Sequence, residues 1–269
     1  MRTTLPNGLN IDILDHAETA FLYREIFVER QYAPPELHLP PRPTIVDVGA
    51  NIGVFSLFAL HEWAPALLVA VEPFTHVARS LRNNLRQFSA ANVVQAAIGD
   101  SSGRVEFEYY PSCSVMSGRS IDPERDRAAI VESRLQSAAE SGPEVRRRLR
   151  AALERIAAQR CRDVATEWIQ QTTLSKIVAD RCPGGVDLLK IDVEGDEMVA
   201  LESLGDQADL VANLLIEVDE TRVSPATVER WLGANDFVFL KLPRGRAELA
   251  TMTMIFAHRP TAILPTSPQ

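Results

Sequence analysis

Two carboxylates lie at positions from which a nucleotide-binding fold contacts its ligand. Asp47 begins a glycine turn, Asp47-Val-Gly-Ala-Asn-Ile-Gly53, and Glu72 ends an apolar run roughly 20 residues beyond that turn. An acid at this distance from a strand–turn–helix unit accepts hydrogen bonds from ribose hydroxyls. The pair therefore predicts a ligand that contains adenosine.

The glycine turn between these acids indicates which adenosine compound to expect. Gly49 and Gly53 allow a sharp turn, and a helix that opens near Asn51 would direct its N–H groups at the ligand. A nicotinamide site would instead read Gly-x-Gly-x-x-Gly. Asp47 would repel a pyrophosphate but suits a cation, and S-adenosylmethionine carries two cationic groups and no phosphate. The turn thus predicts this cofactor; the alternative is an ordinary strand–turn–helix unit without a ligand.

A second group of acids follows two later strands. Asp192 and Glu194 come directly after the apolar run Leu188–Ile191. Glu217 ends the next apolar run, and Asp219 lies just beyond it. Because parallel strands end at one edge of a sheet, these carboxylates are expected to orient a substrate hydroxyl, accept its proton or bind a divalent cation such as Mg²⁺. The alternative is that Asp192 caps the next helix and that Glu194 is solvated.

Apolar runs alternate with helical periodicity along the chain that must position these acids. In chain order the pattern predicts a strand at 44–48, a helix to about 63, a strand to 71, a helix at 75–88, strands at 92–98 and 104–110, two helices within 122–160, a strand at 164–170, a helix at 173–180, a strand at 186–193, a helix at 197–204, a strand at 214–218, a helix near 224–234, and strands at 237–242 and 251–257. The strand at 104–110 is expected at a sheet edge or in a flap. Such alternation predicts a parallel sheet covered on both faces.

Two further segments flank or interrupt this core. An amphipathic helix is predicted at 16–30, and the charged stretch at about 118–163 is predicted to be a helical insertion. We interpret the chain as a lid segment at 1–43, a catalytic domain at 44–260 that contains the insertion, and a tail at 261–269.

Composition argues against several classes of protein. The 269-residue chain has a formal net charge of -8, which repels a phosphate backbone and disfavours a general nucleic-acid binder. Cys113, Cys161 and Cys182 are an odd set without Cys-x-x-Cys spacing, so neither a disulfide framework nor a zinc site is indicated. No apolar run is long enough to span a bilayer, so no membrane association is expected. The default expectation is a cytoplasmic protein.

The order of the motifs resembles the FkbM family of methyltransferases. The matching runs are Val-Asp47-Val-Gly-Ala-Asn-Ile-Gly, Val-Glu72-Pro, Ala-Ile98-Gly-Asp, Leu-Lys-Ile-Asp192-Val-Glu-Gly and Leu-Ile-Glu217-Val. Weaker likenesses at 17–27 and 110–118 are to members from polyketide and peptide assembly lines. The resemblance implies a class I, S-adenosylmethionine-dependent O-methyltransferase. The implied fold is α/β, with a Rossmann-like, doubly wound, mostly parallel seven-stranded sheet, an N-terminal helical lid and a helical insertion.

The resemblance also assigns roles to residues. Cofactor contacts are expected from Asp47, Gly49, Ala50, Asn51, Gly53, Glu72, Pro73, Ala97, Ile98 and Asp192. Within that set the glycine turn would hold the methionine part, Glu72 the ribose, and Ala97 with Ile98 the adenine. Catalysis is expected from Asp192, Glu194, Glu217 and Asp219. Many relatives read Glu-Val-His where this chain has Glu217-Val-Asp219, so Asp219 would have to act as a weaker base, or a metal would matter more.

The implied substrate is a small molecule or an intermediate bound to a carrier protein. Arg146, Arg147, Arg148 and Arg150 form a basic run that is usually a solvated helix face but could dock an acidic carrier. Tyr23 could reach over the cofactor from the lid, although a core contact is the simpler interpretation. The oligomeric state is left open.

Four alternatives differ from this interpretation in ways that can be tested. A methyltransferase acting on nucleic-acid amino groups would usually carry an Asn/Asp-Pro-Pro-aromatic turn where Ile191-Asp-Val-Glu194 stands. A nicotinamide-dependent oxidoreductase is disfavoured by the glycine turn. An N-methyltransferase of the same fold and a catalytically silent cofactor-binding domain stay open.

Overall fold

Twelve strands and eight α-helices are assigned in the computed structural model, which describes residues 1–113, 121–136, 142–243 and 252–260. The strands are β1 Arg2–Thr4, β2 Asn10–Asp12, β3 Thr44–Val48, β4 Leu67–Val71, β5 Ala91–Val94, β6 Ala97–Ile98, β7 Gly103–Tyr109, β8 Ala165–Thr172, β9 Leu188–Ile191, β10 Asn213–Asp219, β11 Val238–Lys241 and β12 Met252–His258. The helices are α1 His16–Tyr23, α2 Val54–Glu62, α3 Thr75–Leu85, α4 Pro123–Gln136, α5 Pro143–Arg160, α6 Leu174–Arg181, α7 Glu197–Glu202 and α8 Pro225–Ala234. A π-helical segment, Arg24–Val28, continues α1, and a 3₁₀ helix spans Gly205–Leu210.

Seven strands form the central sheet, in the order β11-β12-β10-β9-β3-β4-β5. β12 pairs antiparallel with both neighbours, and the other pairings in this sheet are parallel. The order of the strands reverses between β3 and β9, which is where a doubly wound fold opens a crevice for a ligand. The predicted α/β class, with a Rossmann-like and mostly parallel seven-stranded sheet, is confirmed.

Alternate residues of the central strands pack into two separate apolar layers on opposite faces of the sheet. In β3, Ile45 packs into the layer that contains α2 and the N-terminal segment. Val46 and Val48 point to the opposite layer, with residues of α6 and α7. Both faces of the sheet are therefore covered, which explains why these strands read as continuous apolar runs rather than as alternating ones.

The N-terminal helix differs from the prediction in its second half. Asp15 caps α1 by accepting a hydrogen bond from the backbone N–H of Glu18 at 2.8 Å. The α-helix ends at Tyr23, and the next five residues form the π-helical segment rather than two more α-helical turns. Such widened turns are rare and occur frequently at functional sites.

The strand predicted at 92–98 is wrong as a single element. β5 belongs to the central sheet, but the chain leaves that sheet after Val94, and β6 pairs instead with β8. β6, β8 and β7 form a separate three-stranded sheet, so the segment predicted at 104–110 lies in a flap rather than at the edge of the central sheet. Pairing with β8 is what carries Ala97 and Ile98 away from the central sheet.

The two helices predicted within 122–160 are present as α4 and α5. They pack on each other through Val131, Leu135, Leu153 and Ala157. Residues 114–120 and 137–141, which fall within the likeness at 110–118 and within the insertion at 118–163, lie outside the described residues. The division of the chain into a lid, a catalytic domain and a tail stays a prediction.

Candidate active site

A cavity of about 310 Å³ opens at the carboxyl ends of β3, β4, β9 and β10. Its floor is formed by the ends of these strands, including Val48, Val71 and Lys190. Its roof comes from α1, the π-helical segment and the helices α4 and α5, with Phe21, Ile130, Leu153 and Ile156 among the apolar contributors. The volume is within the range of about 300–1,000 Å³ that is usual for ligand pockets.

The glycine turn packs directly against the loop that follows β9. Gly49 has φ +73°, and a Cβ atom there would lie 1.7 Å from the backbone oxygen of Asp192. Asn51 and Gly53 also have positive φ, +49° and +91°. Because left-handed conformations recur as far as Gly53, α2 begins only at Val54, and the expected helix start near Asn51 is wrong by about one turn.

Glu72 is held rigidly at the cavity wall. One carboxylate oxygen accepts the backbone N–H of Asn51 at 3.0 Å, and the other accepts that of Phe74 at 3.0 Å. Burial raises the pKa of Glu72 to about 7, although these two N–H groups act in the opposite direction. Each oxygen keeps a lone pair for a further donor. Both oxygens can therefore accept a further hydrogen bond from a ligand in the cavity.

The structure gives Asp47 a different partner from the one expected. Its carboxylate is fully buried and accepts a hydrogen bond from the Ser56 hydroxyl at 2.6 Å. Its second oxygen lies 3.3 Å from the ammonium of Lys190. Asp47 is not among the residues that line the cavity. Its charge is thus paired inside the protein with that of Lys190, and a contact between Asp47 and the cofactor stays a prediction.

Lys190 is a residue of this site that the sequence analysis missed. It is 3% exposed, and its ammonium contacts the backbone oxygen of Gly49 and the carboxylate of Asp192, both at 3.0 Å. Burial by itself would lower the pKa of Lys190, but the charges of Asp192 and Asp47 outweigh it and raise the pKa above its usual value. A lysine inside an otherwise apolar central strand, Leu188-Leu-Lys-Ile191, was a signal that could have found it.

Of the four acids predicted at the ends of β9 and β10, three lie at the cavity. Asp192, Glu194 and Glu217 all line it. Burial, followed by the charges of Asp192 and Asp219, keeps the pKa of Glu194 well above its usual range. Burial, followed by the charges of Asp192 and Glu25, does the same to the pKa of Glu217. This acidic wall offers hydrogen-bond acceptors and disfavours anionic groups.

The N-terminal segment adds two further residues that sequence reasoning missed. Tyr32, in the loop after the π-helical segment, donates a hydrogen bond from its hydroxyl to Glu217. Glu25, within the π-helical segment, is buried and lines the cavity. Neither residue falls in a recognisable motif, and Tyr32 is separated from Glu217 by 185 positions. The widened helical turn was not visible in the sequence either.

Asp219 is not among the residues that line the cavity. Its carboxylate pairs with Arg222 at 3.2 Å and accepts the hydroxyl of Thr221 at 2.6 Å. Arg222 in turn lies 3.7 Å from the buried Asp126 of α4. The geometry therefore favours a structural role for Asp219, which ties the loop after β10 to the helical insertion.

The remaining predicted residues, and the contacts of the roof, lie at the margins of the cavity. Ala97 and Ile98 line the cavity together with Phe74 and Phe107. Tyr23 is not in the lining; its ring stacks on Phe27 with 5.0 Å between centroids. At the roof, Arg160 of α5 bridges to Asp15 and Glu18 of the N-terminal segment, so the lid and the insertion are joined by ion pairs.

The expected site residues thus divide into two sets. The cavity is lined by Gly49, Ala50, Asn51, Glu72, Pro73, Ala97, Ile98, Asp192, Glu194 and Glu217. Asp47, Gly53 and Asp219 lie outside the lining. Within residues 1–113, 121–136, 142–243 and 252–260, no group of three or more His, Cys, Asp or Glu side chains could hold a metal ion. In the same part of the chain, no helix is both long enough and apolar enough to cross a membrane.

Fold and site together define a Rossmann-like α/β protein with a ligand cavity at its topological switch point. A family model described as "Methyltransferase FkbM domain" matches residues 47–239. The chain belongs to the FkbM methyltransferase family, and it is a methyltransferase.

Three named relatives show how far the likeness extends. The 31-O-demethyl-FK506 methyltransferase FkbM of Streptomyces tacrolimicus is 33% identical over 203 residues, which is 75% of each chain. Methyltransferase sdnD of Sordaria araneosa is 29% identical over 269 residues, 96% of this chain and 98% of that one. The AMB antimetabolite synthetase AmbE of Pseudomonas aeruginosa is 31% identical over 226 residues, but these are 82% of this chain and only 10% of the synthetase.

Solved structures resemble the chain more distantly. The human methyltransferase 10 domain containing protein is 11% identical, with a TM-score of 0.44 and coverage of 94% of this chain and 88% of that one. A precorrin-6y C5,15-methyltransferase from Geobacter metallireducens is 10% identical, with a TM-score of 0.40 and coverage of 90% and 87%.

Proposed function

We propose that this protein binds S-adenosylmethionine in the cavity and transfers its methyl group to a hydroxyl oxygen of a small molecule or carrier-bound intermediate in specialised metabolism. The observation that carries the proposal is that one cavity is lined both by Glu72, held as a ribose acceptor, and by the acids Asp192 and Glu217. Membership of the FkbM family and the named activity of the Streptomyces relative support it.

The residues of the cavity fit this cofactor. At Gly49 a side chain would collide with the Asp192 backbone, so the turn can be made only by a glycine, and it leaves the backbone of Ala50 and Asn51 at the cavity wall. Glu72 presents two oriented oxygens for the ribose. Phe74 and Ile98 supply an apolar slot for a purine ring. When bound, the cofactor supplies an electrophilic methyl group.

The acidic wall defines what the acceptor must offer. Asp192 is fixed by the ammonium of Lys190, so it can orient a hydroxyl by accepting its hydrogen bond. Glu217 lies on the same wall and is a candidate to take the proton as the oxygen becomes nucleophilic. An acceptor rich in hydrogen-bond donors and poor in anionic groups fits this surface best.

The direct test uses a methyl-labelled cofactor and a matched panel of hydroxylated and amine acceptors. Label is expected on hydroxylated acceptors, and calorimetry is expected to show binding of S-adenosylhomocysteine but not of nicotinamide dinucleotides. Label on amines alone would replace O-methylation by N-methylation, since the acidic wall also accommodates an ammonium group. Cofactor binding without any transfer across the panel would indicate a silent cofactor-binding domain.

A carrier-bound acceptor is supported by a separate observation on α5. Arg146, Arg147, Arg148 and Arg150 are all exposed on this helix, whereas the protein as a whole carries a net charge of -8. Ile156 of the same helix lines the cavity yet is 49% exposed, so the basic helix borders the cavity rim. An acidic carrier docked there would hold its tethered substrate near the opening, and the synthetase relative is of a size that includes other domains.

Charge reversal separates the docking of a carrier from chemistry. Changing the four arginines to Glu is expected to raise KM for a phosphopantetheinylated carrier domain bearing a hydroxyacyl group by about tenfold or more. The KM for a short free thioester of the same acyl group should not change. Reversing Arg79 and Arg86, which are exposed on α3 and at its end, is a control for charge reversal away from α5. If the four-arginine variant has the same KM for the carrier-bound substrate as the wild-type protein, the docking proposal is wrong, and the proposed methyl transfer is unaffected.

A further inference from the structure

Tyr32 connects the N-terminal segment to the acidic wall of the cavity. It lies outside residues 47–239, which the family model matches, yet it is only 3% exposed and lines the cavity. The ring packs against Phe55, with 5.4 Å between centroids, and the Lys190 ammonium lies 5.8 Å from its centroid. These contacts fix the direction of the phenol, whose hydroxyl donates to Glu217.

The phenol is a permanent donor. Burial, followed by the charges of Glu217 and Glu25, keeps the pKa of Tyr32 well above its usual value. Its proton therefore stays in place at neutral pH. The hydrogen bond uses the Oε2 atom of Glu217, so Oε1 is the oxygen that can serve another partner.

Tyr32 changes the pKa of Glu217 in the opposite direction from the acids around it. The charged and titratable groups that face this carboxyl are Tyr32 from the N-terminal loop, Glu25 from the π-helical segment, Lys190 from β9, and Asp192 and Glu194 from the loop after β9. Burial and the acids raise the pKa of Glu217, whereas the hydrogen bond from Tyr32 lowers it. The phenol thus favours the ionised form, which is the form that can accept a proton.

We propose that Tyr32 is a positioning residue for methyl transfer: it holds Glu217 by one oxygen and leaves the other to accept the proton of the substrate hydroxyl. This inference rests on the proposed function. As the hydroxyl oxygen attacks the methyl carbon, a C–O bond forms and the S–C bond breaks, with its electron pair remaining on sulfur. The hydroxyl proton passes to Glu217 and from there to solvent, so charge and atoms balance.

The test compares the wild-type protein with Tyr32→Phe, which removes one hydroxyl and keeps the ring. Side-chain carboxyl resonances of ¹³C-labelled glutamate are titrated by NMR, with Glu217→Gln used to assign Glu217. The Glu217 midpoint is expected to rise by about one pH unit in Tyr32→Phe. The acid limb of the kcat profile should move with it, giving about a tenfold loss at neutral pH that is recovered as pH rises.

The control is Tyr23→Phe, a second tyrosine of the N-terminal segment, whose ring stacks on Phe27 outside the cavity. It should reproduce the wild-type titration and pH profile. An unchanged Glu217 midpoint in Tyr32→Phe overturns the proposal, and so does a uniform loss of kcat at every pH. A wild-type protein that methylates nothing in the acceptor panel overturns the proposed function, while the NMR titration still decides whether Tyr32 controls Glu217.

A second variant gives the answer if Tyr32→Phe does not fold. In Glu217→Gln the carboxylate charge is removed, so the phenol of Tyr32 should ionise at a lower pH in an ultraviolet titration. An unchanged phenol titration would show that the two side chains are not coupled and would overturn the proposal.

Discussion

The two halves of the cavity are built in different ways. The half that we propose for the cofactor, named the cofactor half, lies at the ends of β3 and β4 and is made of backbone: the turn at Gly49 and two N–H groups that bind Glu72. The half that we propose for the methyl acceptor, named the acceptor half, lies at the ends of β9 and β10. It is made of side chains that pair with one another, above all Lys190 and Tyr32. We therefore expect few substitutions to be tolerated in the cofactor half, whereas the side chains of the acceptor half can be substituted one at a time.

Sequence distance separates the halves as clearly as chemistry does. Glu72 bonds to residues 21 and 2 positions away. On the acceptor side, Lys190 reaches a carbonyl 141 positions away, and Tyr32 reaches Glu217 across 185 positions. The cofactor half is a local structure, and the acceptor half exists only once the whole chain has folded.

Substitution at the contact between the halves, where Gly49 meets the Asp192 backbone, is expected to destabilise the protein most. In Gly49→Ala the new methyl group would meet the Asp192 backbone oxygen at 1.7 Å and φ would stay positive, so both halves must separate. We expect a loss of more than about 4 kcal/mol in the free energy of unfolding, measured by urea denaturation. Gly184→Ala, where nothing lies within 4 Å, should stay within about 0.5 kcal/mol. A mild effect at Gly49 would mean that the halves are not packed as described.

Removal of the internal cation tests the acceptor half. Lys190→Met leaves the buried Asp47 and the partly exposed Asp192 without their counter-charge, and unfolding free energy should fall by about 3–5 kcal/mol, mainly through Asp47. Asp192→Asn in the Lys190→Met background should restore part of the loss. Lys176→Met breaks an exposed pair with Asp180 and should cost under about 0.5 kcal/mol. Equal effects of the two lysine variants would remove the special role given to Lys190.

Binding and turnover should separate the two halves in solution. Glu72→Ala removes the ribose acceptor and is expected to weaken S-adenosylhomocysteine binding at least about 30-fold in calorimetry. Asp192→Asn keeps a hydrogen-bond acceptor but loses the charge next to the substrate, so binding should be nearly unchanged while kcat falls. Equal loss of binding in both variants would show that the halves are not functionally distinct.

The stability of the cofactor-free protein should depend on pH, in a direction set by the buried glutamates whose pKa values are raised. Burial raises the pKa of Glu72 to about 7 and that of Glu197 to about 8. At a pH between the ordinary pKa of a glutamate and these raised values, the folded chain therefore binds more protons than the unfolded chain. Stability is then greatest at the acidic end of the window and falls as pH rises from about 5 to 8, by at most about 1.4 kcal/mol per unit for each group. Thermal unfolding at several pH values measures this slope.

A matched pair of glutamine variants identifies the source of that slope. Glu72→Gln should make the slope shallower by the contribution of Glu72 and leave that of Glu197. Glu62→Gln should not, because the ion pair with Arg30 lowers the pKa of Glu62 and its titration lies below the window. Melting temperatures that rise between pH 5 and 8 would contradict the expected loss of stability towards alkaline pH.

The smallest effect on turnover is expected at Asp219. Its buried carboxylate pairs with Arg222 outside the cavity lining, so Asp219→Asn should lower unfolding free energy by about 1–3 kcal/mol and leave kcat within about twofold. Thermal unfolding and a steady-state assay measure both quantities. A large loss of kcat with unchanged stability would return Asp219 to the group of catalytic candidates.

What could be predicted from the sequence follows this division. The strands, the glycine turn and Glu72 were predictable because short-range patterns determine them. The break between β5 and β6 was not, since it depends on pairing with β8, far along the chain. The ion pair of Asp47 could not be predicted either, because its cation, Lys190, comes from β9, far along the chain.

The buried lysine has a consequence for how such proteins can be recombined. The buried ammonium of Lys190 is balanced by Asp47 and Asp192, and Asp47 lies more than a hundred positions from the other two along the chain. A chimaera that exchanges the amino-terminal part of one relative for that of another will keep its architecture only where the donor and recipient agree at all three positions. Crossover points for exchanging acceptor specificity are therefore limited by the need to keep both ion pairs of Lys190, independently of the shape of any substrate.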